Sequence, residues 1–408
     1  MLHRLKSIKL HWQILIALVI AALFGIFCPH WVEFVSWTGT LFLRALNMIV
    51  VPLIFTSVVC GVSSMGSGEN LKRLGFKTLS FYLITSLLAA ITGLLLVNLI
   101  QPGVGAQLSF DGETPQVQAN GRDIAGIFIR MVPENIFKAF ANADILAIIF
   151  FAIFFGFFMT RLGEKKKASL LNFFDATYDV IMKMTMFIIR FTPIGIFGIV
   201  SKSVADNSNQ LQEMVGSLAW FVLTVFIALT IHALLTMPAI VKFIGRAKPY
   251  KHLQNMTTSL LTAFSTSSSS ATLPLTLESV EHKSGVSNKI ASFTLPLGAT
   301  VNMNGTALYE CTAAIFIAQA YGIDLSFSQQ VVVVITALLT SIGSAGIPMA
   351  GLVMITIILN VVGLPLEGVG LILAVERILD MMRTAINVWG DSCCAVVVAK
   401  SEGEETLV

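Results

Sequence analysis

Between Leu371 and Lys400 the chain reads LILAVERILDMMRTAINVWGDSCCAVVVAK, an apolar run long enough to cross a bilayer that nonetheless carries Glu376, Asp380, Arg383, Thr384, Asn387 and Asp391. At 100° per residue these six side chains fall within an arc of about 100°, so a helix presents them as one polar stripe with a greasy back. Ionisable groups at membrane depth cost roughly 2.5–3.5 kcal/mol each and persist mainly where they face a bundle interior or a solute path. Acids, a base and amide groups on one face point to a binding site for a small charged solute. A set of mutually satisfied structural ion pairs is the alternative.

Three interrupted segments are placed to complete such a site. Ser265 to Ser270 form an unbroken serine/threonine block, followed by Ala271, Thr272 and Pro274, inside MTTSLLTAFSTSSSSATLPLTLESV. That segment is too short and too polar to cross as one helix, and two half-helices meeting at a serine tip satisfy its spacing. Irregular backbone at membrane depth is tolerated only where it is buried in protein or lines an aqueous cavity. The next apolar run breaks at Asn302-Met303-Asn304-Gly305-Thr306. Asn and Gly are poor helix formers, and an Asn-x-Asn-Gly offers backbone and side-chain carbonyl oxygens of the kind hard monovalent cations take. A second hairpin follows, with Gly343, Gly346, Pro348 and Gly351 at its tip. Short, broken apolar segments in corresponding positions are the sequence pointer to a secondary transporter's site.

The composition agrees. With 55% hydrophobic residues and 12% charged, the chain reads as an all-α polytopic membrane protein. Apolar runs at 12–28, 41–65, 78–101, 124–160, 170–204 and 214–243 supply six spans before the interrupted region. Basic clusters flank every second connection: Arg4, Lys6 and Lys9; Lys72, Arg73 and Lys77; Arg161 and Lys165 to Lys167; Arg246, Lys248 and Lys251. This places those connections, and both termini, in the cytoplasm, with the segment carrying Asp111 and Glu113 outside. The basic N-terminus before an apolar run resembles a signal peptide but lacks a cleavage site, and is read as a retained first span. Cationic residues form no nucleic-acid patch, and the five cysteines show neither CxxC spacing nor a disulfide framework. No HExxH or GxGD pattern suggests an intramembrane enzyme.

Four motifs, STSSSSATLP, PLGATVNMNGTALYE, SIGSAGIPMAG and LDMMRTAINVWGDS, occur in the order and spacing of one family. By them the chain resembles the glutamate/aspartate transporter family, also called dicarboxylate/amino acid:cation symporters, over essentially its whole length. The resemblance implies eight transmembrane helices with two re-entrant helical hairpins, an elevator-type transporter fold, a homotrimer and a multi-pass location in the cell (inner) membrane. It implies a static scaffold of residues 1–70 (spans one and two) and 124–205 (spans four and five). A moving transport domain comprises residues 71–103 (span three) and 206–400, with hairpins at about 254–280 and 328–365.

The same resemblance implies roles for residues. Arg383 pairs the side-chain carboxylate of an acidic amino acid, and Asp380 holds its amino group, with Thr384 and Asn387 beside it. Ser268, Ser269 and Ser270 close over the solute from one side and Ile347 to Gly351 from the other, with Thr306 adding a hydroxyl. One sodium site draws on Gly298, Asn302, Asn387 and Asp391, and a second on Thr300, Ser341, Ile342 and Ser344. A third uses Tyr82, Thr85 and Ser86 with the family's aspartate of NMDGT, which is Asn304 here, so this site loses its formal charge. Glu310 stands where animal carriers have a proton-accepting glutamate, so a coupled proton is expected beside sodium. Met381 replaces the arginine of those carriers, and potassium countertransport is not carried over. A proton-coupled C4-dicarboxylate carrier and, in a different class, an anion-conducting channel are the competing readings.

Overall fold

The computed structural model describes residues 10–63, 69–106, 129, 132–142, 144–206, 211–342 and 350–408, and among them it contains helices and no strand. The helices are α1 (Leu10–Phe27), α2 (Glu33–Ser63), α3 (Glu69–Ile100), α4 (Ile136–Ala141), α5 (Ile145–Met159), α6 (Glu164–Ile189), α7 (Thr192–Asp206) and α8 (Leu211–Ile231). They continue with α9 (Met237–Phe243), α10 (Pro249–Thr266), α11 (Ser269–Glu278), α12 (Asn288–Val301), α13 (Asn304–Ala320), α14 (Phe327–Ile342), α15 (Ala350–Val362) and α16 (Val369–Ser401).

Among the described residues three stretches, Glu33–Ser63, Arg73–Ile100 and Glu213–Phe243, are long and apolar enough to cross a membrane singly. The bent pair α6 and α7 makes a fourth. The run expected at 170–204 as one span is therefore two helices, inclined at 51°. Pro193 explains the break, because it lacks the N–H that an uninterrupted helix would use there. Large apolar side chains stand on the outer surface, Ile20, Leu99 and Phe187 among them. An aqueous surface would be penalised for that exposure, whereas a bilayer solvates it.

The breaks at the serine block and at Asn302 fall where the sequence placed them, and they have local causes. Ser267 ends α10 in the left-handed region at φ 52°, and Ser268 caps α11 by accepting the Ala271 N–H at 3.2 Å. A helical hairpin with a serine tip results, α10 lying against α11. Asn302 leaves α12 with extended backbone, and α13 starts two residues later at Asn304. The last stretch is a single helix of 33 residues, α16. α14 and α15 pack together; the segment between them, with Gly343, Ser344, Gly346, Ile347 and Pro348, where the sequence places the tip of a second hairpin, lies outside the described residues.

Helix α13 is buried over nearly its whole length, packed against α3, α16, α14, α8 and α15. Helix α16 lies against α10, α12 and α13. Helices α1 and α2 both pack on α7, and α2 also packs on α5 and α6. The polar stripe of α16 thereby meets the break between α12 and α13 in the interior.

Candidate functional site

All six stripe residues of α16 are buried. At their centre Arg383, 2% exposed, donates from Nη2 to Glu376 Oε1 at 2.6 Å and to Asp380 Oδ1 at 2.8 Å, and from Nε to the same Asp380 oxygen at 3.2 Å. Residues three and seven positions apart share a helix face, so the pairing follows directly from the spacing. Arg377 adds a longer contact, 3.7 Å from Asp380 Oδ2. The guanidinium carbon lies 4.5 Å from the centre of the Tyr309 ring, and the Tyr309 hydroxyl donates to the second Glu376 oxygen. Glu376, Asp380 and Tyr309 thus fix the guanidinium plane. Its remaining nitrogen, Nη1, is buried and has no hydrogen-bond partner. A buried N–H left unmade costs about 1–3 kcal/mol, more on a charged group. An incoming carboxylate would remove that cost and gain a charge-assisted bond.

Around this centre the structure brings together part of the expected solute set. Gly351, at the start of α15, backs onto the guanidinium. Thr306, 4% exposed, accepts from Asn387 Nδ2 at 3.2 Å, and Asn387 Oδ1 accepts the Gly305 N–H at 2.8 Å. Thr384 spends its hydroxyl on the Asp380 carbonyl at 2.7 Å. The serine tip approaches through α11, which packs on α16. Ser269 is buried and Ser270 exposed, while the Ser268 hydroxyl and carbonyl bond Ala271 and Thr272 of its own hairpin. Ile347 lies outside the described residues.

A second cluster surrounds Asp391, 2% exposed. Its Oδ1 accepts from Asn302 Nδ2 at 2.8 Å, and the same amide lies 3.3 Å from the Asn387 carbonyl. Asn302 Oδ1 is buried with no donor facing it. A Cβ on Gly298 would run into the Asp391 carboxylate and come within 2.6 Å of the Tyr82 hydroxyl, so α3, α12 and α16 meet here. Among the described ion pairs Asp391 takes part in none. A buried carboxylate beside an orphaned carbonyl oxygen is a donor set suited to a hard cation.

The other two expected cation sets fare differently. Ser344 lies outside the described residues and Ile342 ends α14, while the hydroxyls of Ser341 and Thr300 are turned onto the carbonyls of Leu338 and Leu297 of their own helices. Tyr82 donates to the Thr294 carbonyl at 2.8 Å, Thr85 to the Phe81 carbonyl at 2.9 Å, and Ser86 is buried. Asn304 Oδ1 accepts the Gly305 N–H at 2.9 Å, which fixes the amide's orientation, and its buried Nδ2 has no partner. Asn304 therefore directs a donor, not a carboxylate oxygen, into the interior. That disfavours a cation beside it.

Glu310, wholly buried, is one turn beyond Thr306 on α13 and faces α14, where its Oε2 lies 3.1 Å from Thr340 Oγ1. The Thr340 hydroxyl is in donating reach of Glu310 Oε2 and, at 2.7 Å, of the Thr336 carbonyl. Glu310 Oε1 has no partner. Lys183 and Arg190 point outward, and His232 is buried with neither ring nitrogen bonded.

Sequence reasoning assigned no role to Tyr309, Thr340 or Glu376. Glu376 was legible as a stripe member two turns from Arg383, and Tyr309 as the neighbour of Glu310; Thr340 lies 30 residues away on another helix and had no local signal.

Residues 10–401 match the model of the sodium:dicarboxylate symporter family. The chain is 35% identical to a proton/sodium-glutamate symport protein of Bacillus caldotenax, over 98% of this chain and 96% of that one. It is 35% identical to the proton/glutamate-aspartate symporter of Escherichia coli (strain K12), over 98% and 94%. A neutral amino acid transporter B(0) of Bos taurus is 36% identical over 89% of this chain and 73% of its own. On a match that spans its length, and relatives aligned along nearly all of it, the chain belongs to the sodium:dicarboxylate symporter family, whose members are transporters and not enzymes.

Proposed function

We propose that the chain is a secondary active symporter that takes up L-aspartate and L-glutamate with sodium, protons or both. Relatives of similar identity are named for acidic and for neutral amino acids, so kinship alone does not select the substrate. The observation that carries the choice is Arg383, a buried guanidinium locked by Glu376, Asp380 and Tyr309 with Nη1 unpartnered. The substrate's side-chain carboxylate binds Nη1, and its ammonium group takes Asp380 on the side where Arg377 now makes a 3.7 Å contact. Asn387 and Thr306 hold the main-chain end, and the serine tip and the second hairpin, with Ile347 and Gly351, close over it.

Sodium occupies the set of Gly298, Asn302, Asn387 and Asp391, and a second ion the set of Thr300, Ser341, Ile342 and Ser344. The third set, at Tyr82, Thr85, Ser86 and Asn304, stays empty, and a proton on Glu310 supplies part of the driving force. Helix α3 with α8 to α16 moves as a transport domain against a scaffold of α1, α2 and α4 to α7. Each chain contributes eight spans and two re-entrant hairpins to a homotrimer in the cell membrane, both termini cytoplasmic.

Uptake of labelled aspartate into proteoliposomes tests this reading, with sodium and proton gradients imposed separately. Saturable uptake driven by either gradient is expected. Flux that does not saturate and ignores the opposing gradient would mark a channel, and succinate competing as well as glutamate would mark a dicarboxylate carrier.

A further inference from the structure

A cavity of about 300 Å³ lies apart from the polar centre, where α1 and α7 face α8, α13 and the first two turns of α16. Each helix lines it with one apolar stripe: Leu18, Ala22 and Ile26 recur at helical spacing on α1, opposite Phe316 and Ala374. Ser217 is the one polar side chain among the lining residues. Water finds too few partners in such a space to fill it, and an empty void of this size forfeits dispersion contacts along its whole wall.

We propose that this cavity binds one acyl chain of a bilayer phospholipid. The lining is continuous with the outer surface, since Ile26 and Val215, both wall residues, are 44% and 63% exposed. In a chain solvated by lipid that opening faces hydrocarbon. The volume holds roughly ten groups the size of a water molecule, methylenes being similar, which matches part of one chain and leaves the headgroup outside. Among the described residues that line the cavity none is charged to hold a polar solute. Resting on the transport reading above, the site has a second property: its walls belong to both of the helix groups proposed to slide past each other. A seated chain is a wedge whose release must accompany movement.

The test uses the full-length protein and two readouts. Native mass spectrometry after a delipidating detergent wash counts retained phospholipid for wild type, for the filled variant Ala22→Phe/Ala374→Phe, and for the surface control Ile20→Phe. One phospholipid per chain in wild type and control, and none in the filled variant, is the expected result. Equal retention by all three means surface lipid only, and no retention by any means an empty cavity; either overturns the proposal. To guard against misfolding of the double variant, Met214→Trp is loaded with brominated-chain phospholipid and diluted into plain bilayers. Quenching at this wall position should outlast quenching at exposed Trp220, and simultaneous recovery overturns the site. Aspartate uptake is measured in parallel, with at least a fivefold change in rate and less than a twofold change in affinity expected for the filled variant. Lipid loss without any aspartate binding by either protein would sink the transport reading and leave the lipid site standing.

Discussion

Gly351 rests on the guanidinium of Arg383: a methyl group at its Cα would fall 2.6 Å from both Nη1 and Nη2. The terminal nitrogens of an arginine ordinarily swing aside for a methyl group. Here Glu376 and Asp380 hold Nη2 at 2.6 and 2.8 Å, and the planar guanidinium carries Nη1 with it. Gly351→Ala should therefore push the guanidinium off its position, at about 1–3 kcal/mol for overpacking a filled interior. Aspartate affinity measured by isotope binding should drop about tenfold or more, with the fold intact by circular dichroism. Unchanged affinity would show that the guanidinium does not set the site.

Removal of the guanidinium has two consequences of different sign. Arg383→Cys leaves Glu376 and Asp380 buried and uncompensated, so the variant should be less stable by roughly 3–5 kcal/mol at neutral pH. The same change deletes the carboxylate partner, and aspartate binding should weaken by roughly 2–5 kcal/mol while serine or alanine gains access. Competition against labelled serine checks both halves. A companion variant, Glu376→Gln, keeps a hydrogen-bond acceptor for Nη2 and should lose less aspartate affinity than Arg383→Cys.

Coupling is addressed at Glu310 and Asn304. The Thr340 hydroxyl lies 3.1 Å from Glu310 Oε2 and 2.7 Å from the Thr336 carbonyl, and Glu310 Oε1 is buried with no partner, so this carboxyl is the group most open to a proton. Glu310→Gln fixes a neutral group there and should flatten the dependence of uptake on an imposed proton gradient. Asn304→Asp replaces the unpartnered Nδ2 with a carboxylate oxygen, and at contact distance a carboxylate–cation attraction is on the order of several kcal/mol at an effective dielectric near 20. Its uptake should rise more steeply with sodium than that of the parent. Parallel sodium curves for the two proteins would show that no cation binds beside residue 304.

Outside the spans, Glu402 ties the chain after α16 to the start of α3. Hydrogen bonds from Lys77, at 2.6 Å, and from Arg73 hold its carboxyl below the ordinary carboxylate range, against a smaller opposing effect of burial. Downstream, Glu404 accepts from the Ser287 hydroxyl and N–H, and Leu407 crosses Gly285, whose φ of +76° and lack of a Cβ allow the approach. A carboxyl depressed in the folded state contributes stability that is fully present above its unfolded value, about 4.3. That contribution disappears as pH falls through the folded value. Amide exchange across residues 402–408 should therefore be slow at neutral pH and accelerate only on acidification below about 4. Glu402→Gln should exchange faster at neutral pH and show less acid dependence. Gly285→Ala should release the same segment at every pH.

The extent to which this site is legible in the chain follows from how local each relation is. Helical periodicity alone puts Glu376, Asp380, Arg383, Thr384, Asn387 and Asp391 on one face, since φ and ψ repeat along α16 whatever surrounds it. The breaks at Ser267 and Asn302 were equally readable, because capping serines and Asn-Gly runs act on the residues next to them. Contacts between distant segments are different. The placement of Gly351 on Arg383, Tyr309 beneath the guanidinium, Thr340 against Glu310 and Gly298 against Asp391 depends on how α12, α13, α14 and α15 pack around α16. The 51° bend between α6 and α7 was hidden in a continuous apolar run. The chain by itself determined which groups are available and on which face. Packing decided which of Arg383's neighbours neutralise it and which nitrogen is left over, because buried charges take the partners that the interior brings within hydrogen-bond reach.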